Sequence, residues 1–338
     1  MNNEARARPA PGAGSDNKNI LSIEGLTVGF QTETGPIRVL ENVTYQVPRG
    51  ITVGLVGESG CGKSVSAMTV MGLLPSPPSF IDSGQVRFEG EDLLKFSPSR
   101  MRQVRGNRIG MIFQEPMTSL NPTFTIGFQL REVLRVHRGL AKREAHDVCV
   151  EMIEMIGVGA PQSRMAQYPH ELSGGLRQRI MIAMALVCRP KLLIADEPTT
   201  ALDVTIQAQI LELLQNLQED LSMSILMITH DLGVIAEFCR YVYVMYAGRI
   251  VEQAATENLF QNACHPYTRG LLASRPRLAM ETEWLPTIPG MVPSPGQRKK
   301  GCYYVERCER RQSRCYDELP PLNDLSADHC FACWYPYS

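Results

Sequence analysis

The chain has 338 residues, of which 44% are hydrophobic, and a formal net charge of −1. This length and composition suffice for one large domain, or one domain with an appendage, around a real core. This balanced charge excludes the strong global positive potential that drives non-specific nucleic-acid binding, so we expect no nucleic-acid partner. The net charge does not exclude a local basic patch. No run approaches the ~20 apolar residues of a membrane span, and no apolar signal core follows the first arginines.

Residues 1–19 are rich in Ala, Pro, Gly, Asn and charge, a composition that buries too little surface to order itself. We expect a disordered leader there. Alternating apolar runs over 20–47, interrupted by a Gly-Pro turn, then predict an antiparallel β lobe. The nearly continuous apolar run 51–56 predicts a strand buried on both faces, followed by a helix over 65–74.

The pattern from about residue 100 to 260 predicts two kinds of structure. Charged and apolar residues at helical spacing indicate a helical insert, which we place at about 115–180. Apolar strands at 192–195, 224–229 and 241–245 then alternate with helical segments. This alternation is typical of an α/β fold whose parallel sheet is joined by crossover helices.

The eight residues after the buried strand read GESGCGKS and match the phosphate-binding pattern G-x-x-x-x-G-K-S. Glycines let such a loop turn its backbone N–H groups and the following helix N-terminus toward phosphates. Lys63 would neutralise the β- and γ-phosphates, and the Ser64 hydroxyl would hold Mg²⁺. The strand before and the helix after argue against an ordinary Gly-rich turn. The predicted binding residues are Gly57, Glu58, Ser59, Gly60, Cys61, Gly62, Lys63 and Ser64.

A pair of acids, Asp196 and Glu197, follows the apolar strand at 192–195. At a strand end, Asp196 can bind the Mg²⁺ shell and Glu197 can polarise an attacking water. The alternative is that the two acids only cap the end of the strand. It is disfavoured because the sequence after them continues PTTALD.

The peptide LSGGLRQR at 172–179 resembles the signature sequence of ABC ATPases, and it precedes the acid pair as that family requires. Ser173, Gly174 and Gly175 stand where a helix should begin, so their free N–H groups can receive a γ-phosphate. In the family, that phosphate belongs to ATP held by a partner subunit. The alternative is a capped helix start in a monomer.

The resemblance covers about 20–253 and implies an α/β P-loop NTPase with a RecA-like core, an antiparallel β lobe and a helical insert. It also implies ATP hydrolysis, with ATP and Mg²⁺ as cofactors. Phe30 would stack on adenine, although a core phenylalanine would look the same. The catalytic positions that the resemblance implies are Glu197, His230 as the switch histidine and Gln114 of the Q-loop, the last also a Mg²⁺ ligand; further nucleotide contacts are Gln178 and Asp203.

Residues 261–338 differ in composition and periodicity from the ATPase region at 20–260. The motifs HPYT at 265–268 and IPGMVP at 288–293 are similar to the extension of ATPases from bacterial dipeptide, oligopeptide and nickel importers. This similarity implies uptake of di- or oligopeptides, with nickel or another small solute as the alternative cargo. The ending at 330–336 looks most like subunits for dipeptides, D,D-dipeptides among them.

Five of the ten cysteines crowd residues 302–333. Without a secretion signal, clustered thiols favour metal ligands over disulfides. Zinc prefers closely paired ligands, and only Cys330 and Cys333 form such a pair, whereas spread positions suit a [4Fe–4S] cluster. Relatives with this extension bind such a cluster, and unligated thiols are the alternative. The resemblance implies the ligands Cys302, Cys308, Cys315 and Cys333, with Cys330 as an alternate to Cys333.

The resemblance finally implies an assembly. Its members would be two transmembrane permease subunits, a second related ATPase or a second copy, and an extracytoplasmic peptide-binding protein. The chain itself would be peripheral on the cytoplasmic face of the bacterial inner membrane. A soluble ABC ATPase of DNA repair or translation would usually carry a coiled-coil insertion or two ATPase domains, and neither is evident. Intact Glu197 and His230 disfavour a metal sensor that binds nucleotide without turnover.

Overall fold

The computed structural model describes residues 18–114, 120–200, 203–274 and 286–337. These divide into two compact units. The predicted leader up to residue 17 and the start of the predicted helical subdomain, 115–119, lie outside the described residues. The first unit contains 18–48, 52–95, 227–274 and 286–337, and the second contains 49–51, 96–114, 120–200 and 203–226.

The strands of the described chain are β1 (Asn19–Thr32), β2 (Gly35–Pro48), β3 (Thr52–Val56), β4 (Ser79–Phe88), β5 (Glu91–Asp92), β6 (Ile109–Ile112), β7 (Leu192–Asp196), β8 (Ser224–Thr229), β9 (Tyr241–Tyr246), β10 (Arg249–Ala255), β11 (Asn323–Ser326) and β12 (His329–Phe331). Its helices are α1 (Lys63–Met71), α2 (Pro98–Val104), α3 (Ile126–Arg138), α4 (Lys142–Met155), α5 (Pro161–Ala166), α6 (Gly174–Leu186), α7 (Val204–Asp220), α8 (Leu232–Phe238), α9 (Thr256–Asn262), α10 (Pro266–Ala273) and α11 (Ser313–Asp317).

The first unit contains the predicted antiparallel lobe. Strand β1 pairs antiparallel with β2 on one side and with β4 on the other. The sequence predicts two short runs here, 20–23 and 26–30, but the structure has one strand of 14 residues. The register shifts beside Gly25, whose φ of 58° lies in the left-handed region that glycine adopts without steric cost. The interruption is therefore an irregularity within the strand.

The second sheet of the first unit includes the C-terminal extension. Strand β3, buried along its whole length as its apolar run predicted, pairs parallel with β9, and β10 pairs antiparallel with β9. Strand β12 then pairs with β10, and β11 with β12. The prediction of an irregular extension was therefore incomplete. Strands of four and three residues are too short to show a period in the sequence.

The second unit holds the predicted helical insert, built from α3, α4, α5 and α6. Leu130 and Leu134 of α3 and Ile153 of α4 are fully buried. Strands β6 and β7 pair in parallel, as the alternation of elements predicted. Within the residues that the structure covers, no helix has both the length and the apolar character needed to cross a bilayer.

Candidate nucleotide site and cysteine lobe

The glycine-rich loop joins β3 to α1 within the first unit. Gly57, Gly60 and Gly62 have φ values of 157°, 79° and 108°, which disfavour residues with a side chain. A Cβ at Gly57 would lie 2.2 Å from the carbonyl oxygen of Met245. The sequence GESGCGKS thus folds into a loop whose backbone conformation needs its glycines.

Lys63 begins α1 and is 5% exposed. Its Nζ donates hydrogen bonds to the carbonyl oxygens of Gly57 at 2.7 Å and Glu58 at 3.1 Å. The ammonium therefore lies against the loop whose N–H groups are expected to surround phosphates. Burial raises the pKa of the neighbouring Cys61 thiol, so this cysteine stays protonated at neutral pH.

In the second unit, Asp196 ends β7 and Glu197 follows it, with exposures of 4% and 9%. Glu197 has φ 49°, a left-handed conformation that costs energy in a residue with a side chain and that is found often at active sites. Its Oε2 accepts hydrogen bonds from Thr200 Oγ1 at 2.8 Å and from Gln114 Nε2 at 3.3 Å. Two positions predicted from separate motifs, Gln114 and Glu197, are thus brought into direct contact.

The signature peptide forms the start of α6. Ser173 is its N-cap and accepts a hydrogen bond from the N–H of Leu176 at 3.4 Å. Ser173 and Gly174 are exposed, so the helix N-terminus offers N–H groups to a ligand. Gln178 is only 1% exposed, and its amide donates to the carbonyl oxygen of Pro198. This contact links α6 to the segment after Glu197, and a nucleotide contact of Gln178 stays a prediction.

The other predicted nucleotide positions are divided between the two units. Phe30 is partly exposed in β1, opposite Ile37 of β2. His230 is exposed directly after β8 in the first unit, and exposed Asp203 is the N-cap of α7 in the second. Their roles stay predictions.

The cysteine lobe consists of Cys302, Cys308, Cys315 and Cys333, which line one small cavity. The N–H of Cys302 donates to the carbonyl oxygen of Cys315 at 2.7 Å. Burial, and then the other three cysteines, raise the pKa of the Cys333 thiol to about 12. Cys330 lies outside this group, with its thiol 3.2 Å from Asp324 Oδ1. All ten cysteines are free thiols.

A buried polar network, which the sequence analysis missed, joins β10 to β12. Glu252 accepts hydrogen bonds from the N–H groups of Cys264 at 2.6 Å and His265 at 3.0 Å, and its Oε1 lies 2.8 Å from His329 Nε2. Glu252 and His329 are both 0% exposed. A glutamate between the apolar pairs Ile-Val and Ala-Ala of RIVEQAA was the available signal, because a buried carboxylate requires partners.

His265 makes the stability of this region depend on pH. It is 2% exposed, and its Nδ1 accepts the N–H of Tyr267 at 3.0 Å; the groups facing it are Glu252 and the Tyr304 ring. Burial, opposed by the Glu252 charge, lowers its pKa from 6.5 to about 4. Between these values only the unfolded chain binds the proton. The free energy of unfolding should therefore fall by about 3 kcal/mol as pH drops from 6.5 to 4.

Urea unfolding across this pH range checks the prediction. A His265→Asn variant keeps a side-chain cap for α10 and does not titrate, so it should lose less stability on acidification. An equal loss in both proteins would show that His265 is not responsible.

Comparison with known proteins defines the class first. A family model described as ABC transporter matches residues 40–200. The cbiO1 protein of Clostridium perfringens, part of an ABC transporter complex, superposes with a TM-score of 0.61 and 27% identity over 72% of this chain and 92% of that one. A dimeric bacterial ABC transporter cassette superposes with a TM-score of 0.62 and 26% identity over 70% and 98% of the two chains. The loop, the acid pair and the signature helix thus accompany the fold of an ABC ATPase.

A second family model, the C-terminal region of oligopeptide/dipeptide transporters, matches residues 251–315. A Brucella abortus peptide import ATP-binding protein is 50% identical over 93% of this chain and 96% of its own length. The Escherichia coli dipeptide transport ATP-binding protein is 45% identical over 94% and 97%. The Bacillus subtilis oligopeptide transport ATP-binding protein is 46% identical over 93% and 88%. The chain belongs to the ABC transporter ATPase family, in the branch with the oligopeptide/dipeptide C-terminal region.

Proposed function

We propose that the chain is the ATP-hydrolysing subunit of an importer of di- or oligopeptides. The observation that carries this proposal is the union, in one chain, of an ABC ATPase region with the oligopeptide/dipeptide C-terminal region. Relatives that match over nearly their full length have peptide transport names. Nickel or another small solute is the alternative cargo. A dipeptide cargo, D,D-dipeptides included, rests only on the ending at 330–336.

The residues divide the chemistry of hydrolysis among them. Lys63 and the backbone of its loop would bind the phosphates, and the residues that would hold Mg²⁺ are Ser64, Asp196 and Gln114. Glu197 accepts a proton from the attacking water. The hydrogen bond from Gln114 Nε2 to Glu197 Oε2 orients the carboxylate, and the left-handed backbone at Glu197 holds its side chain in place. His230 assists at the γ-phosphate.

The exposed N-terminus of α6 supports a second part of this proposal. Ser173 and Gly174 are exposed, and N–H groups at this helix N-terminus can donate hydrogen bonds to an anion. We place there the γ-phosphate of ATP bound to a second ATPase subunit, either a related chain or a second copy. Two membrane permease subunits and an extracytoplasmic peptide-binding protein complete the assembly, on whose cytoplasmic side this chain lies.

The test is ATP hydrolysis by the full complex in lipid vesicles. The chain is purified with the products of neighbouring genes and assayed with dipeptides, D,D-dipeptides, longer peptides and Ni²⁺, each with the binding protein. Stimulation by a peptide supports the proposal and names the cargo. Stimulation by Ni²⁺ alone establishes the alternative cargo. A rate of ATP hydrolysis that changes with none of the solutes and is unaffected by the permease subunits would contradict a role in import.

We further propose that Cys302, Cys308, Cys315 and Cys333 hold a [4Fe–4S] cluster. All four line one cavity. Four thiolates are the ligand set of a [4Fe–4S] cluster, whereas structural zinc prefers ligands closely paired in the sequence, and these four are spread over 302–333. When bound, the cluster crosslinks the lobe.

This assignment predicts different outcomes for two adjacent cysteines. In anaerobically purified protein, Cys333→Ser should lose most of the iron and of the visible absorbance of the cluster, because it removes one ligand. The matched variant Cys330→Ser should keep both, since its thiol lies against Asp324. Iron and sulfide analysis, together with visible absorbance spectra, shows which of the two cysteines is the cluster ligand. Loss of iron in Cys330→Ser but not in Cys333→Ser would reverse the ligand assignment.

A further inference from the structure

The C-terminal extension contacts the phosphate-binding loop at two points. The Oη of Tyr267 accepts a hydrogen bond from the backbone N–H of Glu58 at 2.8 Å. Arg307 Nη1 lies 3.0 Å from Glu58 Oε2. Tyr267 is 0% exposed, and the side chain of Arg307 is 6% exposed. One residue of the loop is thus bound through both its backbone and its side chain.

Arg307 is itself held rigidly. Its Nε donates to the carbonyl oxygen of Pro289 at 2.8 Å, and its Nη2 donates to that of Ile288 at 3.4 Å. Its Nη1 also reaches the Oη of Tyr246 at 3.4 Å. A guanidinium bound at several points loses little further freedom on pairing, so the ion pair with Glu58 is a strong constraint on the loop.

We propose that Tyr267 and Arg307 are positioning residues for nucleotide binding, which hold Glu58 and thereby preorganise the phosphate-binding loop. A loop rich in glycine has high conformational entropy, and fixing it before nucleotide arrives lowers the entropic cost of binding. Arg307 directly precedes Cys308, so the same residue connects the cysteine lobe to the loop. The inference rests on nucleotide binding by the chain and not on the identity of the cargo.

The variants Arg307→Met and Tyr267→Phe test this proposal in the full chain. The dissociation constant for MgATP and the KM for ATP should rise about tenfold in Arg307→Met and several-fold in Tyr267→Phe. The kcat should stay within about twofold, because ground state and transition state lose the same interaction. Arg310→Met is the matched control: Arg310 lies in the same region, donates to the carbonyl oxygen of Tyr335, and should leave KM unchanged.

A double-mutant cycle adds a readout that a general structural role would not move. Arg307→Met should cause little further loss in a Glu58→Gln background, and Arg307→Lys should restore part of the affinity. If Arg307→Met fails to fold, Tyr267→Phe decides, because it removes a single oxygen. MgATP affinity within twofold of the parent in Tyr267→Phe and in any folded Arg307→Met overturns the inference. A parent chain that binds no MgATP would instead contradict the nucleotide function.

Discussion

Replacing Glu197 by Gln should reduce the kcat of ATP hydrolysis about a thousandfold while ATP still binds. The amide keeps the size of the carboxylate and accepts the same hydrogen bonds from Gln114 and Thr200, but it cannot take a proton from water. Binding should survive because Lys63 and its loop are unchanged. Single-turnover hydrolysis and MgATP titration measure the two quantities separately.

The variant should also accumulate an ATP-bound dimer, detectable by gel filtration or light scattering in the presence of MgATP. Glu212→Gln is the matched control, since Glu212 is an exposed glutamate on α7. Its kcat should be that of the parent. Unchanged steady-state hydrolysis in Glu197→Gln would refute the proposed role of Glu197.

The largest expected effect on stability comes from Glu252→Ala. This change removes the acceptor of two buried N–H groups and the partner of His329, and it leaves a cavity between β10 and β12. Each buried donor left without its acceptor costs about 1–3 kcal/mol. The midpoint of urea unfolding should therefore fall sharply.

The control is Glu257→Ala, an exposed glutamate in the first turn of α9. Its unfolding midpoint should move little, because exposed charges contribute at most about 1 kcal/mol. Similar midpoints for Glu252→Ala and the parent would show that the network does not stabilise the fold.

Local motifs were predictable because their chemistry constrains the backbone directly. The glycines of the loop at 57–62 are required by positive φ, and the run at 52–56 is buried along its length, so both carry a signal within a few residues. The start of α6 was likewise readable from Ser173 and the glycines after it.

Other features join residues that are distant in the chain. The contact of Gln114 with Glu197 spans 83 positions, and that of Arg307 with Glu58 spans 249. Each of these side chains is of a common polar type, and only the folded structure shows which residue it contacts. The first two strands of the β lobe were predicted, whereas its strands β4 and β5 were not. The strand pairing at 323–331 could not be predicted either, because three or four residues show no period.

The amino-acid sequence by itself determined the family, the nucleotide loop and the acid pair, since these depend on residue type at short spacing. Tertiary structure alone decided which cysteines share a cavity, that the Gln178 amide donates to Pro198, and how the extension contacts Glu58. The physical reason is the separation along the chain of the residues that interact. Backbone conformation and burial are set over a few residues, whereas hydrogen bonds and ion pairs between distant segments form only when packing brings their atoms within about 3 Å.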